Sequence, residues 1–185
     1  KSIASVWEVP MLLFTDTGVS EEEETWIADW LKENYPEVRE FECIDFVRGD
    51  LNDDGLEDIA FVVDSDAFAV NVDDFPRRLF VLLQRKDGSW QAVEEPQSLP
   101  GITAGGMRGD PYFGAFMEPG HLVIRTGWGS SSGSVVTTVY EYRDGSLAPV
   151  KTICASDYNY AEGYDVRVED VQTGMWRRYV IAMDG

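Results

Sequence analysis

The stretch GDLNDDGLED, residues 49–58, places five carboxylates and one amide within ten residues. Counted from Asp50, oxygen-bearing side chains fall at positions 1, 3, 5 and 9, namely Asp50, Asn52, Asp54 and Asp58, with Gly55 at position 6. Side chains at positions 1, 3 and 5 can turn towards one point, and a glycine at 6 lets the backbone bend sharply enough for the Leu56 carbonyl to face the same point. Three carboxylates, an amide and a carbonyl, completed by water, suit a hard cation. The irregular geometry suits calcium better than magnesium, which demands a strict octahedron. Asp50, Asn52, Asp54, Leu56 and Asp58 are therefore the expected calcium ligands, whereas Asp53 and Glu57, at even positions, should point outward. Without a cation the same acids would repel one another and raise at least one pKa. The alternative is an acidic turn that holds no metal.

The segments flanking this loop, CIDFVR and DIAFVV, read as strands, and position 12 is Phe61 where an EF-hand has a bidentate Glu, so the loop is not an EF-hand. A D-x-N-x-D-G-x-x-D loop between strands resembles the calcium loops of FG-GAP and VCBS-type repeats. The wider order GDLNDDGLEDIAFVV, RRLFVLL, GDPYFG and HLVIRTGWGSSSGSVVTTVYEYRDGSL, over roughly residues 41–150, is similar to a group of uncharacterised secreted proteins and lipoproteins of bacteria. That resemblance implies export and a calcium loop, and implies no particular activity.

Other motifs carry less chemistry. GSSSG, residues 129–133, satisfies G-x-S-x-G around Ser131, but a nucleophile elbow needs a following helix and a histidine later in the chain. Here SVVTTVYEY continues as a strand, and the sole histidine, His121, comes earlier. In GWGSSSG the third glycine stands one residue late for a dinucleotide fingerprint, and no helix follows to receive a phosphate. A zinc site at His121 would lack a second His or paired Cys. Arg-Gly-Asp occurs at 48–50 and at 108–110; Asp50 belongs to the proposed cation loop and Asp110 precedes Pro111 in a turn, so neither copy reads as an adhesion motif. Trp128, Tyr112, Phe113, Tyr158 and Tyr160 present an aromatic set that is either a sugar-binding surface beside the Gly-Ser loop or packing beneath loops. No catalytic constellation emerges, and a non-enzymatic role is expected.

Thirty-four acids against 15 Lys and Arg in 185 residues give a net charge of −19, which disfavours nucleic acid and anionic membrane surfaces as partners. No run approaches the roughly 18 apolar residues that span a bilayer. The first residues, KSIASVWEVPMLLF, lack a signal peptide's unbroken apolar core, and the expectation is an extracellular or cell-envelope protein whose export signal lies outside this sequence. Cys43 and Cys154 are either bridged across a loop of about 110 residues or remain buried thiols.

A single mostly β, α+β domain must position the loop. Ser20 with Glu23 forms a capping box, Glu21–Glu24 suit a helix N-terminus, and Pro36 ends the run, which predicts a helix over about 20–35 with Trp26, Ile27, Trp30 and Leu31 on its buried face. Nine strand-like segments follow, from EFECIDFV to WRRYVIAM. Turn pairs Asp87-Gly88, Pro119-Gly120, Asp144-Gly145 and Thr173-Gly174 predict consecutive antiparallel hairpins over about 77–183, a meander sheet on which the helix packs. EEPQSLPGITAGGMRGDPYFG and GWGSSSGS are read as long loops. Arg77-Arg78 and Arg177-Arg178 open two similar strands with no repeat around them.

Overall fold

The structure is a computed structural model and describes residues 18–68, 77–93, 97–101, 104–105, 107, 109–129, 133–157 and 163–182. Among the described residues it is mostly β, with antiparallel pairing and one α-helix. Helix α1 (Glu21–Asn34) starts at the expected capping box: the Ser20 hydroxyl accepts from the Glu23 amide while the Glu23 carboxylate accepts from the Ser20 amide at 2.9 Å. These bonds satisfy amides that the first helical turn leaves without partners.

The strands divide into two sheets. The first runs β1 (Glu42–Gly49), β2 (Asp58–Asp64), β3 (Arg77–Gln84) and β4 (Trp90–Ala92), with β5 (Gln97–Leu99) also paired to β3. The second is a six-stranded meander of β6 (Tyr112–Glu118), β7 (His121–Gly129), β8 (Gly133–Arg143), β9 (Ser146–Asp157), β10 (Gly163–Asp170) and β11 (Trp176–Ala182). All nine segments read as strands are strands. The meander accounts for the second sheet, and the first sheet carries the helix.

The central strands β2 and β3 are buried on both faces, which explains why residues 59–63, IAFVV, are apolar at every position instead of alternating. Ile59, Phe61, Val63, Phe80 and Leu82 pack with Ile27 and Leu31 of α1. Their neighbours Ala60, Val62, Leu79, Val81 and Leu83 pack with Ala115, Leu122, Ile124 and Leu147 of the second sheet. Trp26 and Trp30 lie half-buried against Phe61, both edge-on. The order of layers is helix, first sheet, second sheet.

β5 and the first residues of β6 fall within the stretch read from sequence as one long loop, and the rest of β6 was not read as a strand. Glycine and the preceding Pro111 obscured β6, whose interior Gly114 has φ of +115° and sits at a bulge between Tyr112 and Gly114. A left-handed residue at a bulge is a position that favours glycine. The two cysteines stand in different sheets, Cys43 in β1 and Cys154 in β9, and both are free thiols of intermediate burial. Burial, together with the charges of Glu24 and Glu42, pushes the Cys43 thiol up to about 11.

Candidate functional site

The acidic loop joins β1 to β2, whose pairing closes at Gly49 opposite Asp58. Two residues take left-handed backbone, Asp53 at φ +57° and Gly55 at φ +83°, and the loop turns there. Its bonds follow the alternation of the sequence. Asp50 Oδ1 and Asn52 Oδ1 both accept from the Asp54 amide at 3.1 Å, so these two oxygens converge on one point. Asp50 Oδ2 accepts from the Gly55 amide at 2.9 Å. Asn52 Nδ2 donates to Asp54 Oδ2 at 3.1 Å, and the Leu56 amide donates to Asp54 Oδ1 at 2.9 Å. Asp53 and Glu57 are exposed and outside this ring, and Glu57 is paired with Arg48 at 3.3 Å.

Asp58 has a different environment. It is fully buried, and its two oxygens accept from the Leu51 and Gln84 amides, each at 2.9 Å. Burial raises its carboxyl above the usual range; the two amides oppose the shift, and the charges of Asp54 and Asp50 add to it. Asp58 therefore ties the loop to the first sheet and also senses the other two acids. Leu51, buried in the core between the sheets, anchors the loop from its other side.

Among the described residues no group of three or more His, Cys, Asp or Glu side chains is arranged to hold a metal ion. The loop as folded is a turn held by its own amides, with the carboxylates of Asp50, Asp54 and Asp58 not gathered into the expected cage. In donor type and capacity the set still suits calcium. It is all oxygen, and a carboxylate oxygen that accepts one amide keeps a second lone pair for a cation.

The loop also touches the second sheet. The Gly120 amide, in the β6–β7 turn, donates to the Asp50 carbonyl at 2.9 Å, and the Asp53 carboxylate lies beside Gly120. Gly49 is pressed against Met117.

A second polar cluster between the sheets was not read from the sequence. The Arg77 side chain is fully buried and donates to both oxygens of Asp64, from Nε at 2.9 Å and Nη2 at 2.8 Å. It also donates to both oxygens of Asp110, from Nη1 at 2.7 Å and Nη2 at 2.8 Å. Arg77 and Asp64 are directly opposed in the β2–β3 ladder and face the second sheet, as Leu79 and Val62 do. The guanidinium lies over the Tyr112 ring at 5.4 Å. Burial opposes its charge, but the bonds from Asp110 and Asp64 outweigh burial and raise its pKa. Next to it the buried Asp45 carboxylate accepts from the Tyr112 hydroxyl and the Ala115 amide, both at 2.8 Å, across facing bulges in β1 and β6. Burial, then the charge of Asp45, pushes the Tyr112 phenol far up.

These contacts assign several residues singled out by sequence. Asp110 of the second Arg-Gly-Asp is an Arg77 partner, and Tyr112 is a partner of Asp45, so neither is a free surface group. Phe113 packs against Gly127. Trp128 is 50% exposed. His121 lies 3.1 Å from Glu141 and 3.2 Å from the Pro119 carbonyl. Ser131, Tyr158, Tyr160 and Arg108 lie outside the described residues. No helix among the described residues is long and apolar enough to cross a membrane. Comparison with known proteins finds no significant match to a family model, a curated protein or a solved structure.

Proposed function

We propose that the chain is an exported, non-enzymatic calcium-binding domain in which the ion is structural, held by Asp50, Asn52, Asp54, Asp58 and the Leu56 carbonyl. The observation that supports this reading is the convergence of the Asp50 and Asn52 side-chain oxygens on the Asp54 amide, bonds in which Asp53 and Glu57 take no part. In this reading the loop closes on the cation, which relieves the repulsion felt by the buried Asp58. A ligand that binds only the folded state stabilises by about 2.7 kcal/mol at a hundredfold excess over its dissociation constant.

The test is thermal unfolding in EGTA and in excess calcium, with Asp54→Ala as control. Calcium raises the wild-type melting temperature and leaves the variant unmoved. Equal melting of the wild type in both conditions removes the proposal. The alternative, a surface module for a glycan or protein, rests on the half-exposed Trp128 at the end of β7. A glycan array on which nothing binds, or binding unaffected by Trp128→Ala, removes its glycan form.

A further inference from the structure

β11 is the outer strand of the second sheet: it pairs with β10 along one edge, and no described strand lies along the other. A free edge carries unpaired N–H and C=O groups, which natural proteins usually blunt with charged side chains, proline, bulges or shortness; Arg177 and Arg178 are the charges of β11. β11 is seven residues long, contains no proline and pairs with β10 in unbroken register. Residues of both its faces are exposed, with the Arg167 guanidinium over the Trp176 ring. Trp176 and Val180 are 54% and 67% exposed on one face, and Tyr179 and Ile181 are 42% and 37% exposed on the other. Met175 and Val171, in the β10–β11 turn, are exposed as well, and large apolar side chains gathered in the open at one edge mark an interaction site.

Two observations point to what covers it. The first is a row of cross-strand neighbours, Val135, Ala155, Val166 and Tyr179, along one face of the second sheet. Ala155 and Val166 are buried, and the row runs out into solvent at Tyr179. The second is charge. The chain carries −19, but the β10–β11 hairpin balances Asp165, Glu169 and Asp170 against Arg167, Arg177 and Arg178. This neutral edge is a place where two strongly acidic copies can meet without direct repulsion.

We propose that β11 is a homodimer edge on which the same strand of a second copy pairs antiparallel, with Tyr179 at the two-fold axis. Tyr179 is the middle residue of the strand, so this register pairs its whole length. Val180 then faces the partner's Arg178, Ile181 faces the partner's Arg177, and Tyr179 meets its own counterpart as an aromatic cross-strand pair. No arginine faces an arginine, and the apolar row continues through Tyr179 into the second copy.

The test is sedimentation equilibrium of the full chain across protein and salt concentration. The expected result is a species of twice 20.8 kDa whose population grows with salt, because salt screens the repulsion between the two acidic bodies. Val180→Lys, which opposes a lysine to the partner's Arg178, leaves only monomer with unchanged melting of the fold. Ile181→Glu, which opposes a carboxylate to the partner's Arg177, keeps the dimer. A wild type that stays monomeric at every concentration and salt overturns the proposal, as does a dimer that survives Val180→Lys or is lost with Ile181→Glu.

Discussion

Replacing Arg77 by methionine keeps much of the side chain's aliphatic volume and removes the charge, leaving the Asp64 and Asp110 carboxylates without their shared cation. Breaking a buried ion pair from one side costs about 3–5 kcal/mol, because the remaining charge is left desolvated. The Arg77 side chain is 0% exposed, but Asp64 is 18% and Asp110 35% exposed, so the stranded carboxylates recover part of their hydration. That places the expected loss at the lower end, about 3 kcal/mol. In a domain of this size the loss lowers the melting temperature by roughly 6–12 °C. The assay is urea unfolding at pH 7 followed by tryptophan fluorescence, with the m-value checked so that the midpoint shift reports stability. Adding Asp110→Asn to Arg77→Met removes one stranded charge and recovers part of the loss. A loss below about 1 kcal/mol, the value of a solvated surface pair, would refute the reasoning, since it would mean that the guanidinium is not holding the sheets together from a dry site.

Other perturbations follow from the same contacts. Gly127→Ala drives a Cβ into Phe113 Cε2 and places it 2.8 Å from the Ser134 carbonyl oxygen, and costs about 2 kcal/mol in thermal unfolding through overpacking. Tyr112→Phe removes one of the donors to the buried Asp45 and costs about 1–2 kcal/mol by the same measurement. Burial tends to raise the Asp110 carboxyl, but bonds from Arg77 and the Tyr112 amide outweigh it and hold the group below the usual range. Its stabilisation is present above the unfolded value of about 3.9 and is lost as pH falls through the lower folded value. The stability of Asp110→Asn therefore falls less steeply in acid than that of the wild type. Asp58 has the opposite shift, so protons compete for it at milder acidity than for an ordinary carboxyl, and at the proposed calcium site the affinity measured by calorimetry falls as the solution is acidified.

The helix and nine of the strands were legible because their signals are local: Ser20 with Glu23 caps α1, and turn glycines such as Gly88 and Gly174 mark hairpins with positive φ. The division into two sheets was not legible, since hairpin chemistry reports which neighbours pair and not where a meander parts from the layer beneath it. β6 was hidden by Pro111 and Gly114, both ordinary loop residues until the bulge opposite Asp45 gives Gly114 its place. Arg77 reads from sequence as a polar strand start. Its burial is made possible by two carboxylates, Asp64 across the ladder and Asp110 distant in the chain. The spacing of the acidic loop led to an expected cage; in the fold Asp50, Asn52 and Asp54 bond within the loop, and the carboxylates are not gathered to one centre. What the spacing could not show is that Asp58 spends one lone pair of each oxygen on a backbone amide of the first sheet.

Closure of the loop of residues 50–58 around a cation is the central proposal, and a crystal structure grown with calcium is its sharpest test. One ion is expected, with oxygens of Asp50, Asn52, Asp54, Asp58 and the Leu56 carbonyl at about 2.3–2.6 Å. A loop that keeps Asp50 and Asp54 on its own amides, with no ion density at its centre, would contradict it.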